Sequence, residues 1–238
     1  MNVLEAVIKE LNSLANAAKV KDYQWFFKTG KGEYAEGDKF IGVNVPNQRK
    51  VSKKFYKEAT LQDFENLLTS GIHEYRLTAL MMMCYKFEKA TKEADIALQK
   101  SLHTFYLQNT KYVNNWDLVD TSAGRLVGDY LLDKDRSLLY EMAKEKDLWR
   151  NRISIIATSR LIARGQIDDT FKLSKILLEH PHDLIHKAVG WMLREAGKVD
   201  LDKLLQFINA NYSKMPRTML RYAIEKLPEK QRKEILSR

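Results

Sequence analysis

An all-α fold is what this 238-residue sequence predicts, and three observations carry the prediction. Proline and glycine are scarce, at four and ten residues. Apolar residues recur at i, i+3 and i+4 almost everywhere, while the strict alternation of a half-buried strand is nearly absent. Pro46, Pro181, Pro216 and Pro228 each stand just before or at a fresh helical run, where a missing N–H costs little.

Taken in order, helices are expected to start near Asn2, Asp22, Pro46, Leu61, Ile72, Glu93, Trp116, Asp135, Leu148, Asp168, Asp183, Asp200, Pro216 and Pro228. Many open on Asp or Asn, whose side-chain oxygen satisfies an early N–H, or carry Pro a residue or two inside the start. Continuous apolar stripes support the longer ones. One runs through Leu77, Leu80, Met81, Cys84 and Phe87, a second through Ile153, Ile156, Ala157 and Leu161, and a third through Leu184, Ala188, Trp191 and Met192. The clear exception is Lys28–Val45, where Gly30, Gly32, Gly37 and Gly42 predict a loop. It lacks the spacing of a phosphate-cradling P-loop. Two readings of it stand: a plain surface loop, or one that offers backbone N–H groups to a phosphate.

Short connections predict antiparallel helix hairpins. Arg76, Asp120, Arg152, Lys187 and Arg217 each fall early in the second helix of such a hairpin, at intervals of 44, 32, 35 and 30 residues. That period reads as a HEAT-like helical repeat solenoid, an α-α superhelix, with residues 1–238 forming a single domain. Such stacks curve, and the concave groove is the usual binding face. A compact irregular helical domain with accidental spacing is the alternative.

The net charge is +9 and it is unevenly placed. Residues 149–238 hold 18 Lys and Arg against 10 Asp and Glu, and residues 1–148 hold 22 against 21. A lopsided basic field concentrates polyanions and speeds encounter with them, although a solvated basic surface without a partner has the same composition. Cys84, the single cysteine, excludes an intramolecular disulfide and any zinc site built on two thiolates. No run approaches the roughly 18 apolar residues of a membrane span. The N-terminal MNVLEAVIKELNSLA is an acidic amphipathic helix and not a signal peptide. A soluble protein of the reducing cytoplasm, with no membrane partner, is expected.

Trp116 and Asp120, within NNWDLVD, stand four apart and share a helix face. Trp191, preceded by Gly190 inside a helix, is the second notable indole; glycine there points to close packing or access. Tryptophan at helical spacing is more often core than site, and both readings stay open for this set. His182 and His186, with His180 and Asp183 nearby, have no third ligand at suitable spacing, and no metal site is expected. Cys84 follows three methionines in an apolar stripe and reads as core. Arg217 and Arg221 are i, i+4 neighbours that fit either a phosphate or open solvent.

The chain resembles the DNA alkylation repair glycosylases of the AlkD type, which are built from HEAT-like repeats. The likeness is carried by FFKTGKGEYAEGDKFIGVNVPNQRK, NNWDLVD, LWRNRISII, HKAVGWMLREAGK and MPRTMLRYAIEKLP, in this order over most of the chain. The resemblance implies double-stranded DNA held in the concave groove, with an aromatic pair and a carboxylate facing the sugar of an alkylated purine. By motif, Asp120 is the implied catalytic carboxylate, and Trp116 and Trp191 are the implied catalytic indoles. Arg152 matches a DNA-backbone contact. Arg194, Lys187, Arg217 and Arg221 are further DNA-binding candidates, and Phe26 sits where the family can place an aromatic near the lesion. Asn115 departs from relatives that carry a second tryptophan before the first.

The activity this resemblance implies is hydrolysis of the N-glycosidic bond of cationic N3- or N7-alkylated purines, by a monomer with no cofactor. The base already carries positive charge, so no acid need protonate it. Positive charge develops on the deoxyribose, where a fixed carboxylate and two indole faces stabilise it. The resemblance also implies that the lesion need not be flipped from the duplex. A non-catalytic DNA-structure-binding protein and a protein-interaction solenoid are the alternatives.

Overall fold

The computed structural model describes residues 2–238, which divide into two compact units on either side of the boundary between residues 130 and 131. Among the described residues there are fourteen α-helices and no strand beyond an isolated bridge between Lys39 and Ile72. The all-α expectation holds. No described helix is long and apolar enough to cross a membrane.

The first unit contains α1 (Val3–Ser13), α2 (Ala17–Phe26), α3 (Val45–Phe55), α4 (Leu61–Leu68), α5 (His73–Lys92), α6 (Ile96–Gln108) and α7 (Trp116–Ala123). α5 is its axis and packs against α3, α4, α6 and α7. Every residue from His73 to Met83 is buried, so this half of α5 is covered on all sides. A helix with no exposed face cannot keep its charged side chains in water. His73, Glu74 and Arg76 must therefore find partners inside the protein. A single π-helical turn, Gly124–Gly128, continues α7.

The second unit contains α8 (Ser137–Lys144), α9 (Leu148–Ile162), α10 (Asp168–Ile176), α11 (Asp183–Val199), α12 (Leu201–Asn211), α13 (Arg217–Ala223) and α14 (Glu229–Leu236). α9, α11 and α13 pack in sequence as one row, with α8 and α10 against α9 and α12 against α11. Alternate helices of each unit thus form its inner row, as hairpin stacking predicts. Arg76, Asp120, Arg152, Lys187 and Arg217 all lie in the first turn or two of their helices α5, α7, α9, α11 and α13.

Capping explains most helix starts. Asn2, Thr60, Asp95, Asp147 and Asp200 each accept a backbone N–H from the first turn of the helix they precede. It also explains a difference. α2 starts at Ala17 rather than near Asp22, because Asn16 accepts from Ala18 N at 3.1 Å and opens the helix earlier. At Gly190 of α11, an added Cβ would stand 2.5 Å from both Met219 O and Tyr222 Cβ of α13. Close packing, not access, is the reason for that glycine.

Candidate functional site

The loop Lys28–Val45 is built more tightly than a surface connection. Lys39 N donates to Gly71 O at 3.0 Å and His73 N donates to Lys39 O at 2.8 Å, which stitches the loop to the start of α5. Buried Glu74 then accepts from three successive backbone amides, Ile41 at 3.1 Å, Gly42 at 2.8 Å and Val43 at 3.2 Å. Gly42 has φ +79°, and a Cβ on it would fall 2.1 Å from Asn16 O. No other residue fits there. Gly30 N and Gly32 N donate to the Glu33 and Glu36 carboxylates, at 2.7 and 2.8 Å. These amides are occupied by the loop's own acids and by Glu74, so the phosphate-cradle reading of the loop falls.

What the loop positions is Phe40 and Asp38. Phe40 stacks on Phe27 of the α2 C-terminus at 5.2 Å between ring centroids, and on His73 at 4.7 Å. Phe27 stacks in turn on Trp116, at 5.5 Å and 21°. Phe26 meets Trp116 edge-on at 5.8 Å. Together with Tyr23 and Trp25 these rings wall a cavity of about 620 Å³, which Asp22, Glu74, His73 and Asp117 also line. Trp25 is 74% exposed and Phe26 53% exposed, so the aromatic wall reaches solvent.

Behind the rings lies a buried charge cluster. His73 Nε2 is 2.8 Å from Asp117 Oδ2, and His73 Nδ1 is 3.3 Å from Asp38 Oδ2. Arg76 Nη2 holds the same Asp38 oxygen at 2.6 Å. Burial pulls the His73 pKa down, but the Asp117 carboxylate and the bonds to both aspartates outweigh it and raise the pKa to about 9. The imidazole is therefore a cation at neutral pH. Asp38 moves the other way: burial opposes ionisation, yet His73 and Arg76 hold its carboxyl below the usual range.

Trp116 is the first residue of α7, and its helix is set by Asn115, which is fully buried and accepts from Trp116 N at 2.8 Å. A tryptophan at 115 has no oxygen to do this, so the departure from the family pattern supplies a cap. Asp120 follows one turn on, half-buried. Of the expected site residues, the structure brings Trp116 and Phe26 into contact and sets Asp120 on the same helix.

The remaining expected residues belong to the second unit. Trp191 is half-buried on α11. Arg152 is buried on α9 and donates through Nη1 to Leu184 O. Lys187 pairs with Asp183 at 2.7 Å, and Arg194 pairs with Glu195 at 3.2 Å and with Glu225. Arg217 donates to Tyr212 Oη and to Leu236 O. Arg221 is exposed, and its guanidinium has no ion pair or hydrogen bond among the described residues. The histidines of this unit have structural tasks: His182 caps α11 and His186 bonds the His180 carbonyl. In the first unit the Cys84 thiol donates to Thr121 O, and burial pushes its pKa up to about 12, which leaves no thiolate to act as a nucleophile.

Sequence reasoning did not single out His73, Asp38, Asp117, Tyr23, Phe27 or Phe40. Phe27, Asp38, Phe40 and Asp117 all lie inside strings that carried the family resemblance, which was the available signal. His73 had none.

Comparison with known proteins bears on the family and the fold. A family model described as DNA alkylation repair enzyme matches residues 7–227. A solved structure described as a predicted DNA alkylation repair enzyme from Enterococcus faecalis superposes with a TM-score of 0.69 at 17% identity, covering 90% of this chain and 97% of that one. At that identity the likeness speaks to fold. No curated protein matches the chain.

Proposed function

Because the chain belongs to the DNA alkylation repair enzyme family, we propose that it is a DNA glycosylase, one that excises N3- and N7-alkylated purines from duplex DNA. The observation that carries this reading is on α7: an indole and a carboxylate, Trp116 and Asp120, one turn apart on a helix whose start is fixed by Asn115 and by the Asp117–His73 contact. Substitution of the purine at N3 or N7 places positive charge on the ring. The bond from C1′ of the deoxyribose to the base nitrogen breaks with its electron pair leaving on the base, which departs neutral. Asp120 stabilises the oxocarbenium-like sugar and orients the water that adds to C1′, and the water's proton passes to the carboxylate or to solvent. Trp116, and Trp191 by family resemblance, supply indole faces that attract the cationic sugar. The leaving group needs no protonation, and this chemistry requires neither a cofactor nor that the base leave the stack. Arg152, Lys187, Arg194, Arg217 and Arg221 are the proposed backbone contacts, on the more basic half of the chain. We take the working form to be a cytoplasmic monomer on duplex DNA.

The test is base release from methylated duplex DNA. Asp120→Asn is expected to keep duplex binding and lose excision by orders of magnitude. Undiminished release by that variant removes the proposed role of Asp120. A wild-type protein that releases no base but binds junctions or bulges is a non-catalytic DNA-structure binder instead.

A further inference from the structure

We propose that Asp38, carried by the glycine-rich loop, is a positioning residue for excision: through His73 and Arg76 it holds the start of α7, and with it Trp116 and Asp120, in place. The proposal rests on the glycosylase reading and gives the loop a task within it.

The Asp38 carboxylate stands between two cations of α5. Its Oδ2 is 3.3 Å from His73 Nδ1 and 2.6 Å from Arg76 Nη2. Each cation turns its other side to the segment that opens α7. His73 Nε2 is 2.8 Å from Asp117 Oδ2, while Arg76 Nη1 donates to Tyr112 O at 3.5 Å and to Asn114 Oδ1. Asp117 Oδ1 accepts in turn from Leu118 N at 2.8 Å, so both oxygens of that carboxylate are engaged. Trp116 therefore lies between two held points, Asn114 before it and Asp117 after it, and Asp120 follows within one turn.

His73 and Arg76 stand three apart on one helix, where like charges repel. Asp38 offsets that repulsion and lets both cations serve one neighbouring segment. Asp38 is 9% exposed, Arg76 4% and His73 1%, so none of the three offers a surface to a duplex. Their part in excision is geometric. The loop keeps its path without the Asp38 side chain, because Glu74 holds the amides of Ile41, Gly42 and Val43 and the Lys39 backbone bonds to Gly71 and His73. Asp38 is what this anchored loop delivers to α5. A fixed carboxylate and indole stabilise a developing cation only from the right place, and a misplacement of about 1 Å costs about a hundredfold.

The test uses the full chain and single-turnover release of 7-methylguanine from duplex DNA, with duplex affinity measured alongside. Asp38→Asn keeps the size of the side chain and removes its charge. The rate constant at saturation is expected to fall about 10- to 100-fold while the Kd for duplex changes by less than about twofold, the pattern of an interaction that acts on the transition state. The charged groups set against the His73 imidazole are Asp38 from the loop, Asp117 from α7 and Arg76 on α5. In Asp38→Asn one carboxylate is gone and Arg76 remains, so the imidazole, followed by NMR, should release its proton at a lower pH than in the wild type. Asn114→Ala removes one end of the grip without stranding a charge, since Arg76 keeps Asp38 and Tyr112 O; its rate constant should fall about three- to tenfold. Val7→Ala, in the core of α1 where it packs on α3 and α4, is the control for stability alone and should excise at the wild-type rate.

Wild-type excision by Asp38→Asn, or a fall matched by Val7→Ala, overturns the proposal. So does a loss that lies in duplex affinity and not in the rate constant. Where Asp38→Asn does not fold, Asn114→Ala decides, and wild-type excision by it overturns the proposal. A wild-type protein that releases no base overturns the glycosylase reading, and amide exchange then decides for Asp38. Faster exchange at Val119 and Asp120 in Asp38→Asn, beyond any change in α4, keeps its hold on α7; unchanged exchange there removes it.

Discussion

His73 Nε2 and Asp117 Oδ2 lie 2.8 Å apart, and that contact joins α5, the axis of the first unit, to the helix that carries Trp116 and Asp120. The histidine is buried and its imidazole is charged. The orientation of α7 is thus coupled to a proton held inside the protein.

That proton makes stability depend on pH. The folded pKa of His73, about 9, lies above its ordinary value of 6.5. A raised pKa contributes stability that is fully present below 6.5 and is lost as pH rises through 9. Thermal denaturation should show the melting temperature falling across that window, by the equivalent of at most on the order of 3 kcal/mol. In His73→Gln the melting temperature should be lower and this part of the pH dependence should vanish. A pH-independent wild type between 6.5 and 9 would show that the imidazole is not held as a cation.

Glu74 gives a second prediction. Replacing it with Gln keeps the volume but removes the charge that three amides share and turns an NH2 group toward donors. A loss of about 2–3 kcal/mol is expected, in the range for hydrogen bonds to a charged group. Amide exchange at Ile41, Gly42 and Val43 should accelerate more than exchange in α9 or α11. Equal acceleration everywhere would mean that Glu74 does not fix the loop in particular.

Gly190→Ala should destabilise the second unit, although alanine is the better helix former by about 1 kcal/mol. The new methyl meets the Met219 carbonyl, and backbone cannot step aside as a side-chain tip can. Overpacking of this kind costs about 1–3 kcal/mol. A chemical-denaturation midpoint at or above the wild type's would contradict the close approach of α11 and α13.

Arg221→Gln tests the basic surface. Its guanidinium is exposed and has no partner among the described residues, so removal should leave the melting temperature unchanged; the proposed phosphate contact predicts weaker duplex binding and a salt slope lower by about 0.9. Arg194 is a contrast. Its pairing with Glu195 and Glu225 must loosen before it can reach a phosphate, so Arg194→Gln should change the slope less.

How much of this was legible in the sequence depends on range. The helices were, because capping and periodicity are local: Asn2, Asp147 and Asp200 act within three residues of themselves. Gly190 was legible as an anomaly and only the structure identified its neighbour. Trp116 and Asp120 were legible as sharing a face for the same local reason. The charge cluster was not, because His73 meets Asp38 and Asp117 across 35 and 44 residues, and nothing in a helical stripe marks one histidine for burial. The glycine-rich loop left two readings open. Its backbone donors look free in sequence, and the acids that occupy them are Glu33 and Glu36 within the loop and Glu74, more than thirty residues on.

α2 buries none of its residues, yet Tyr23, Trp25 and Phe26 on it wall the cavity. Substitutions along this helix remove little core and so cost little stability, while changing what the cavity admits. The charge cluster beneath has no such freedom, since losing one partner strands another charge. Substitutions among descendants of this sequence should therefore accumulate in α2, and the cluster that carries α7 should resist drift.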